Sequence, residues 1–298
     1  MKILQDAFCN KVFNNTVIIG NGSCFAEDLN KTSFYNIYDN IVYLFECSQD
    51  TFKYIQIHKE LHKYKKWVIC ISHMHEDHCN AIGSLLYYFK FSLSLSNDNI
   101  FIICPDKELM NIYLNITSPN AQDGINIIDN NYYCDNIQIK LFDVKHINSM
   151  KSIGFIFSIN DINVFAYTGD CTSIPIDVIN QYNFGYIYGL ITECTLYNNN
   201  VHQNIDNLLQ QVDNNRLQNV LLIHFDNATA GSIIFDKINQ YDSQHKLLAL
   251  SRLLPGIKEN NEIFNIVYNK FIAICDKYTK VILTKDRIDN SLNICNLL

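Results

Sequence analysis

Three of the nine histidines in this 298-residue chain fall within six positions, in His73-Met74-His75-Glu76-Asp77-His78. Chance places an H-x-H-x-D-H run in about one chain in a thousand of this composition. The run follows Trp67–Ser72, an apolar stretch that ends abruptly in polar residues. That pattern reads as a buried strand delivering side chains at its C-terminal end. Imidazole nitrogens and a carboxylate oxygen then project from one turn, and these are ligand types of zinc, manganese and iron(II).

The surrounding sequence alternates strand and helix signals. Strands are expected at Thr16–Ile19, Ser33–Ile37 and Ile41–Phe45, with Gly20–Ser33 as a loop rich in Gly, Asn and Ser. Asp50 is read as the cap of a helix running through TFKYIQIHKELHKYKK, with its lysines on a solvated outer face. A buried helix over Ala81–Leu95 and strands at Ile100–Cys104, Ile137–Val144, Phe155–Ile159 and Val164–Tyr167 follow. The order then becomes strand Tyr186–Ile191, helix Ile205–Val212 and strand Val220–Ile223. Two halves of similar make-up predict helices packed outside sheets. Beyond Asp226, helices are expected over Ile233–Leu254 and Glu262–Tyr278, broken at Pro255-Gly256, with a strand at Lys280–Thr284.

Composition narrows the setting. Lys and Arg number 23 against 30 Asp and Glu, a net charge of −7, which argues against a protein that coats nucleic acid. At 48% hydrophobic residues the chain can bury one large core or two modest ones. No apolar run approaches the ~18 residues of a membrane-spanning helix. The start, MKILQDAFCN, lacks the apolar core of a secretory signal, so a cytoplasmic location is expected. Eleven cysteines without a C-x-x-C pair suit buried, reduced thiols better than a disulfide framework.

On the strength of the H-x-H-x-D-H run, the sequence resembles the metallo-β-lactamase superfamily, and further matches follow in that family's order. A lone histidine at a strand end is matched by His146 in FDVKHI. An aspartate after glycine is matched by Asp170 in Tyr167-Thr168-Gly169-Asp170, and a last histidine after an apolar strand by His224. The resemblance implies an α/β four-layer αββα sandwich over residues 1–226, with a mostly helical C-terminal extension over 227–298. It implies two divalent ions, zinc first and manganese or iron as alternatives. His73, His75 and His146 would hold one ion, Asp77, His78 and His224 the other, and Asp170 would bridge them. Such a pair can share a hydroxide and clamp both oxygens of a displacement.

Within the superfamily the chain looks most similar to ribonuclease Z-like phosphodiesterases. Aspartate rather than cysteine stands among the second set of ligands, and His202 lies 22 residues before His224, with Asp206 four positions further on. Asp206 could reach back along a helical turn to orient the imidazole, leaving His202 to bind the phosphate or protonate the leaving oxygen. Asp77 and Asp170 would position the nucleophile. Glu193 in ITECTL resembles the acidic strand end preceding this element, and Gly20-Asn21-Gly22-Ser23 resembles the family's glycine-rich first turn near the site. Cys79 and Cys171, although beside expected ligands, are read as core residues. His58, His62 and His245 fall outside every motif and are read as surface residues.

His146 and Asp170 lie only 24 positions apart, where tRNA-processing ribonuclease Z carries a long arm, and the tail beyond Asp226 does not resemble that of ribonuclease Z. The resemblance therefore covers roughly residues 16–226. A small phosphodiester, above all a cyclic nucleotide, is the expected substrate, since armless relatives include phage proteins that destroy immune cyclic nucleotides. Three alternatives stay open: an endoribonuclease acting on RNA, a thioesterase or lactonase, and a non-catalytic binding protein on the same fold. A homodimer is expected by analogy.

Overall fold

Side-chain alternation along the strands decides the architecture. In β3 (Ile41–Phe45), Ile41, Tyr43 and Phe45 enter one core while Val42 and Leu44 enter another. In β4 (Lys66–Cys70), Val68 and Cys70 likewise oppose Trp67 and Ile69. Strands with apolar side chains on both faces need cover on both faces. One cover is a second sheet and the other is helical.

The computed structural model describes residues 15–177, 189–215 and 220–240. The first of its two six-stranded sheets runs β1 (Val17–Gly20), β2 (Ser33–Tyr38), β3, β4, β5 (Ile100–Ile103) and β6 (Asn126–Ile128), in that spatial order. The second runs from β12 (Val220–Ile223) through β11 (Gly189–Glu193), β10 (Ile162–Tyr167), β9 (Ser152–Ile159) and β8 (Ile137–Val144) to β7 (Tyr132–Cys134). Each sheet joins antiparallel pairs to parallel ones, the parallel pairs running from β3 to β6 in the first and from β10 to β12 in the second. Parallel strands present their C-terminal ends on one edge, where ligands gather in open α/β sheets.

Aromatic rings fill the space between the sheets. Phe45 stacks on Phe34 at 4.6 Å between centroids and meets Phe155 and Phe165 edge-on at 5.7 Å each. Replacing Phe45 by alanine is expected to destabilise the fold by about 3–5 kcal/mol, through lost burial and the cavity left behind. A urea unfolding midpoint unchanged in this variant would contradict the packing described.

On the outer face of the first sheet lie α1 (Gln49–Ile57), α2 (Glu76–Cys79), α3 (Ile82–Tyr87) and α4 (Lys107–Thr117). Their Ile55, Leu85, Leu86, Met110 and Leu114 share a core with Trp67 and Ile69. The other outer layer comes from α5 (Ile205–Asn215) and α6 (Ala228–Gln240), which bury Ile205, Leu208, Ala230 and Ile234. The result is the expected four-layer αββα sandwich. Helix α6 lies beyond Asp226, and its Ala230 and Ile234 are buried.

Several local details differ from the sequence reading. Ser48, not Asp50, caps α1: its hydroxyl accepts from Thr51 N–H at 3.3 Å while Thr51 Oγ1 accepts from Ser48 N–H at 3.2 Å, a reciprocal pair. The Asp50 carboxylate instead accepts from Lys31 N–H at 3.0 Å. The helix ends at Ile57, and a short 3₁₀ turn, Lys59–Lys63, follows. The expected 81–95 helix closes with a widened turn over Tyr88–Ser92. Unanticipated were α4, β6 and β7, although Asp106 caps α4 by accepting from Leu109 N–H at 2.9 Å and Met110 and Leu114 are its buried i, i+4 pair. Helix α6 starts at Ala228 rather than Ile233, its first N–H donating to the Asp28 carboxylate. The first three residues of the expected strand Tyr186–Ile191, and the expected elements beyond Gln240, lie outside the described residues. Among the described residues no helix is long and apolar enough to cross a membrane.

Candidate metal centre

Five strand ends on the edge shared by the two sheets supply the site. From β4 the chain passes through Ile71 and Ser72 into His73, and α2 then carries Asp77 and His78. His146 follows β8, Asp170 follows β10, Glu193 ends β11 and His224 follows β12. Gly169 occupies the left-handed region at φ +61°, and a Cβ there would come within 2.6 Å of the Ser72 Cβ. Glycine is thus required for the β10 turn to approach the β4 turn and bring Asp170 against His73. His224, without glycine's freedom, also sits at φ +61°. Such a conformation costs of order 1 kcal/mol and persists where surrounding contacts over-determine it. Here Phe225 N–H donates to Asn21 O at 2.7 Å and Ser23 N–H to Phe225 O at 2.8 Å, so the glycine-rich first turn clamps the residue after His224.

All seven expected ligands come together. His73, His75, His146 and Asp170 form one group and Asp77, His78 and His224 a second, each with its ligand atoms within 4.8 Å of one another. Asp170 Oδ2 lies between them, 3.7 Å from His73 Nε2, 4.0 Å from His146 Nε2, 3.5 Å from His78 Nε2 and 3.3 Å from His224 Nε2. Asp77 Oδ2 is 3.3 Å from His78 Nε2 and 3.4 Å from His224 Nε2. His146 Nδ1 is 2.8 Å from Val201 O, which assigns the proton to Nδ1 and turns the Nε2 lone pair inward. Such outer hydrogen bonds set the tautomer of a ligating histidine.

Electrostatics give an independent test of fit. Asp77, Asp170, Glu46 and Glu193 are all buried, and among the described residues no lysine or arginine pairs with any of them. Buried carboxylates need countercharge. Both ring nitrogens of His78 and Nδ1 of His224 are buried without a well-formed hydrogen bond. Burial, then the neighbouring His78, pushes the His73 imidazole well below the usual range, towards the neutral form that binds a cation. In His78 and His224 burial acts in the same direction, but Asp170 and the other carboxylates outweigh it and hold both rings up, His224 to about 10. Burial opposes ionisation of Asp77 and Asp170 too, yet the surrounding imidazoles hold both carboxyls well below their ordinary range. Converging imidazoles and ionised carboxylates, with no lysine or arginine among them in the described residues, fit divalent cations.

His202 stands at the open side of this cluster. Its side chain is 23% exposed, against 3% for Asp170 Oδ2's side chain at 3.8 Å. Nδ1 is 2.6 Å from Glu193 Oε2, and burial of the ring is outweighed by this hydrogen bond, so the imidazole pKa is raised. Glu193 also approaches His224 Nδ1 at 3.3 Å and accepts from Cys171 N–H. The carboxylate that meets His202 is therefore Glu193. The reading that Asp206 orients this ring is corrected: Asp206 is 73% exposed and pairs with Lys237 Nζ at 2.9 Å. An i+4 spacing makes such a contact available, but α5 turns Asp206 towards α6.

Sequence reasoning missed Glu46. It directly follows β3, sits at φ +63°, accepts from Ser72 N–H at 3.2 Å and from Tyr167 O–H at 2.9 Å, and lies 3.5 Å from His78 Nδ1. A lone acid closing the apolar run Ile41–Phe45 was its available signal. Cys79 and Cys171 are buried and belong to neither group, burial pushing the Cys79 thiol up to about 12. His58 pairs with Glu60 and His62 Nε2 with Ile55 O, both away from the centre. His245 lies outside the described residues.

The fold is that of the metallo-β-lactamases. YhfI of Bacillus subtilis, a metallo-β-lactamase fold protein, is similar at a TM-score of 0.57 and 15% identity, over 70% of this chain and 85% of that one. The short form of human tRNase Z gives 0.57 and 17%, over 70% of this chain and 92% of its own. A diphosphatase of the PhnP family gives 0.55 and 14%, over 78% and 93%. Among curated proteins none matches the chain by sequence. A family model does match, over residues 15–247, and its description is Anti-Pycsar protein Apyc1.

Proposed function

Because this chain belongs to the anti-Pycsar protein Apyc1 family, we propose that it is a metal-dependent phosphodiesterase that hydrolyses a cyclic nucleotide or a closely related small phosphodiester. The observation that carries the reading is His202, held by Glu193 at the solvent-facing side of the seven-residue cluster. The family's name points to degradation of cyclic nucleotides.

Two divalent cations, one held by His73, His75, His146 and Asp170 and one by Asp77, His78, His224 and Asp170, would act as Lewis acids on the phosphodiester. The chain's own groups do the rest. Asp170 faces both halves of the site and aligns them, while Asp77 holds His78 and His224 together. Glu46 backs His78, and Val201 O fixes the His146 tautomer. Glu193 favours the protonated form of His202, in which this residue would offer a positive charge to the phosphate and then a proton to the departing ribose oxygen. Water adds across the P–O bond, and the cyclic diester opens to a monoester.

Size and charge support a small substrate. The whole interval from His146 to Asp170 is taken up by a short connection and the β9–β10 hairpin, whose strands pair from Ile162 with Ile159 to Tyr167 with Phe155. No segment in it extends to grip RNA. The net charge of −7 also disfavours the phosphate neutralisation on which RNA binding depends.

The test is a substrate panel on protein reconstituted with Zn²⁺ or Mn²⁺: 3′,5′-cyclic nucleotides, bis(p-nitrophenyl) phosphate, RNA, a thioester and a lactone. Turnover of a cyclic nucleotide with the highest kcat/KM is expected. Preference for the thioester or lactone would overturn the reading, and preference for RNA would replace it with the endoribonuclease.

A further inference from the structure

A single exposed aromatic ring on a protein surface needs no explanation. Two of them stand on loops anchored just beyond the end of β12. Phe25 is 88% exposed and Tyr197 62% exposed, and each belongs to a loop tied to the short segment His224–Asp226.

On one side, Ala26 N–H donates to Ser23 O at 3.1 Å, which leaves Cys24 and Phe25 at the tip of a tight turn. Ser23 N–H in turn donates to Phe225 O at 2.8 Å, so the tip stands beside the residue after His224. On the other side, Leu196 N–H donates to Asp226 Oδ2 at 2.9 Å, and Thr195 Oγ1 donates to Tyr197 O at 2.8 Å. The Tyr197 loop runs on to Val201, whose carbonyl holds His146, and to His202. The two rings thus lie on loops that are both tied to the segment following His224.

We infer that Phe25 and Tyr197 are specificity-determining residues that stack on the nucleobase of a cyclic nucleotide whose phosphate faces the His and Asp cluster. The inference rests on the phosphodiesterase reading and adds to it the part of the substrate distant from the reacting bond. A base presents a flat π-face to any aromatic ring, and loss of one such stack weakens binding roughly five- to hundredfold. Neither ring touches the reacting atoms, so the effect falls on KM.

The experiment uses the metal-loaded full chain with two substrates, a 3′,5′-cyclic nucleotide and the corresponding base-free ribose 3′,5′-cyclic phosphate. Phe25→Ala and Tyr197→Ala are each expected to raise KM for the nucleotide about tenfold with kcat nearly unchanged. Turnover of the base-free substrate is expected to stay at the wild-type value, which also verifies that the variants are folded. Phe25→Tyr and Tyr197→Phe are expected to restore KM. The Kd of a slowly hydrolysed cyclic phosphorothioate, measured by equilibrium dialysis, is expected to move with KM. Unchanged KM in both alanine variants overturns the inference while leaving the phosphodiesterase reading intact. An equal loss on the base-free substrate overturns it too, as does dissociation of a dimer without a change in KM. Absence of any cyclic-nucleotide turnover by the wild type removes both readings together.

Discussion

Replacing His202 by alanine is expected to lower kcat by about 10²- to 10⁴-fold while bound metal stays at the wild-type level, the loss typical of a removed general acid. His202 is suited to that role by its position. It is partly exposed where every expected ligand except His75 is buried, and its Nδ1 is engaged by Glu193 at 2.6 Å. Its pKa is raised, so the protonated form persists above the ordinary imidazole value and is lost as pH rises through the shifted one. The alkaline limb of the kcat profile is therefore expected to report His202. Glu193→Gln removes the negative partner, lowers that pKa and moves the limb to lower pH. Metal analysis beside the kinetics separates proton transfer from loss of the centre. Wild-type rates in His202→Ala would end its assignment to the leaving group.

The second large effect concerns Asp170. Its Oδ2 lies within 4.0 Å of imidazole nitrogens from both groups, so Asp170→Ala takes away the oxygen on which the two halves converge. Metal content is expected to fall from about two ions per chain to below one, and turnover by about a thousandfold or more. Wild-type protein stripped by a chelator is expected to melt at lower temperature and to recover with Zn²⁺ or Mn²⁺. Ligand at a hundredfold excess over Kd stabilises the folded state by about 2.7 kcal/mol. Asp170→Ala should show little of that recovery. Full activity of the stripped wild type would refute a metal-dependent mechanism altogether.

The ease with which parts of this molecule can be read from its sequence follows the range of the forces involved. Strands such as Ile41–Phe45 and Val220–Ile223 are legible because burial on both faces leaves an uninterrupted apolar run. Short edge strands leave a fainter trace. Asn126–Ile128 and Tyr132–Cys134, three residues each, mix buried with exposed positions and carry too few residues for a period to emerge. Helix α4 was readable from Asp106, Met110 and Leu114, but its outward Ile112 and Ile116 blur the amphipathic pattern.

The candidate site divides in the same way. His73, His75, Asp77 and His78 stand in one turn, and His146, Asp170 and His224 each follow an apolar strand in the order that the metallo-β-lactamase resemblance implies, which was enough to nominate all of them. Which carboxylate serves which imidazole was a tertiary matter. Asp206 had the favourable spacing, yet β11 lies between β10 and β12, and this brings Glu193 to His202 and His224 from a neighbouring strand end. Glu46 reaches His78 across the β3–β4 pair by the same means. Ligand identity resides in residue type and strand punctuation, which are local. Orientation of the ligands depends on hydrogen bonds between strands far apart in sequence, and only the packing of two parallel sheet edges brings those groups within 3 Å or so of each other.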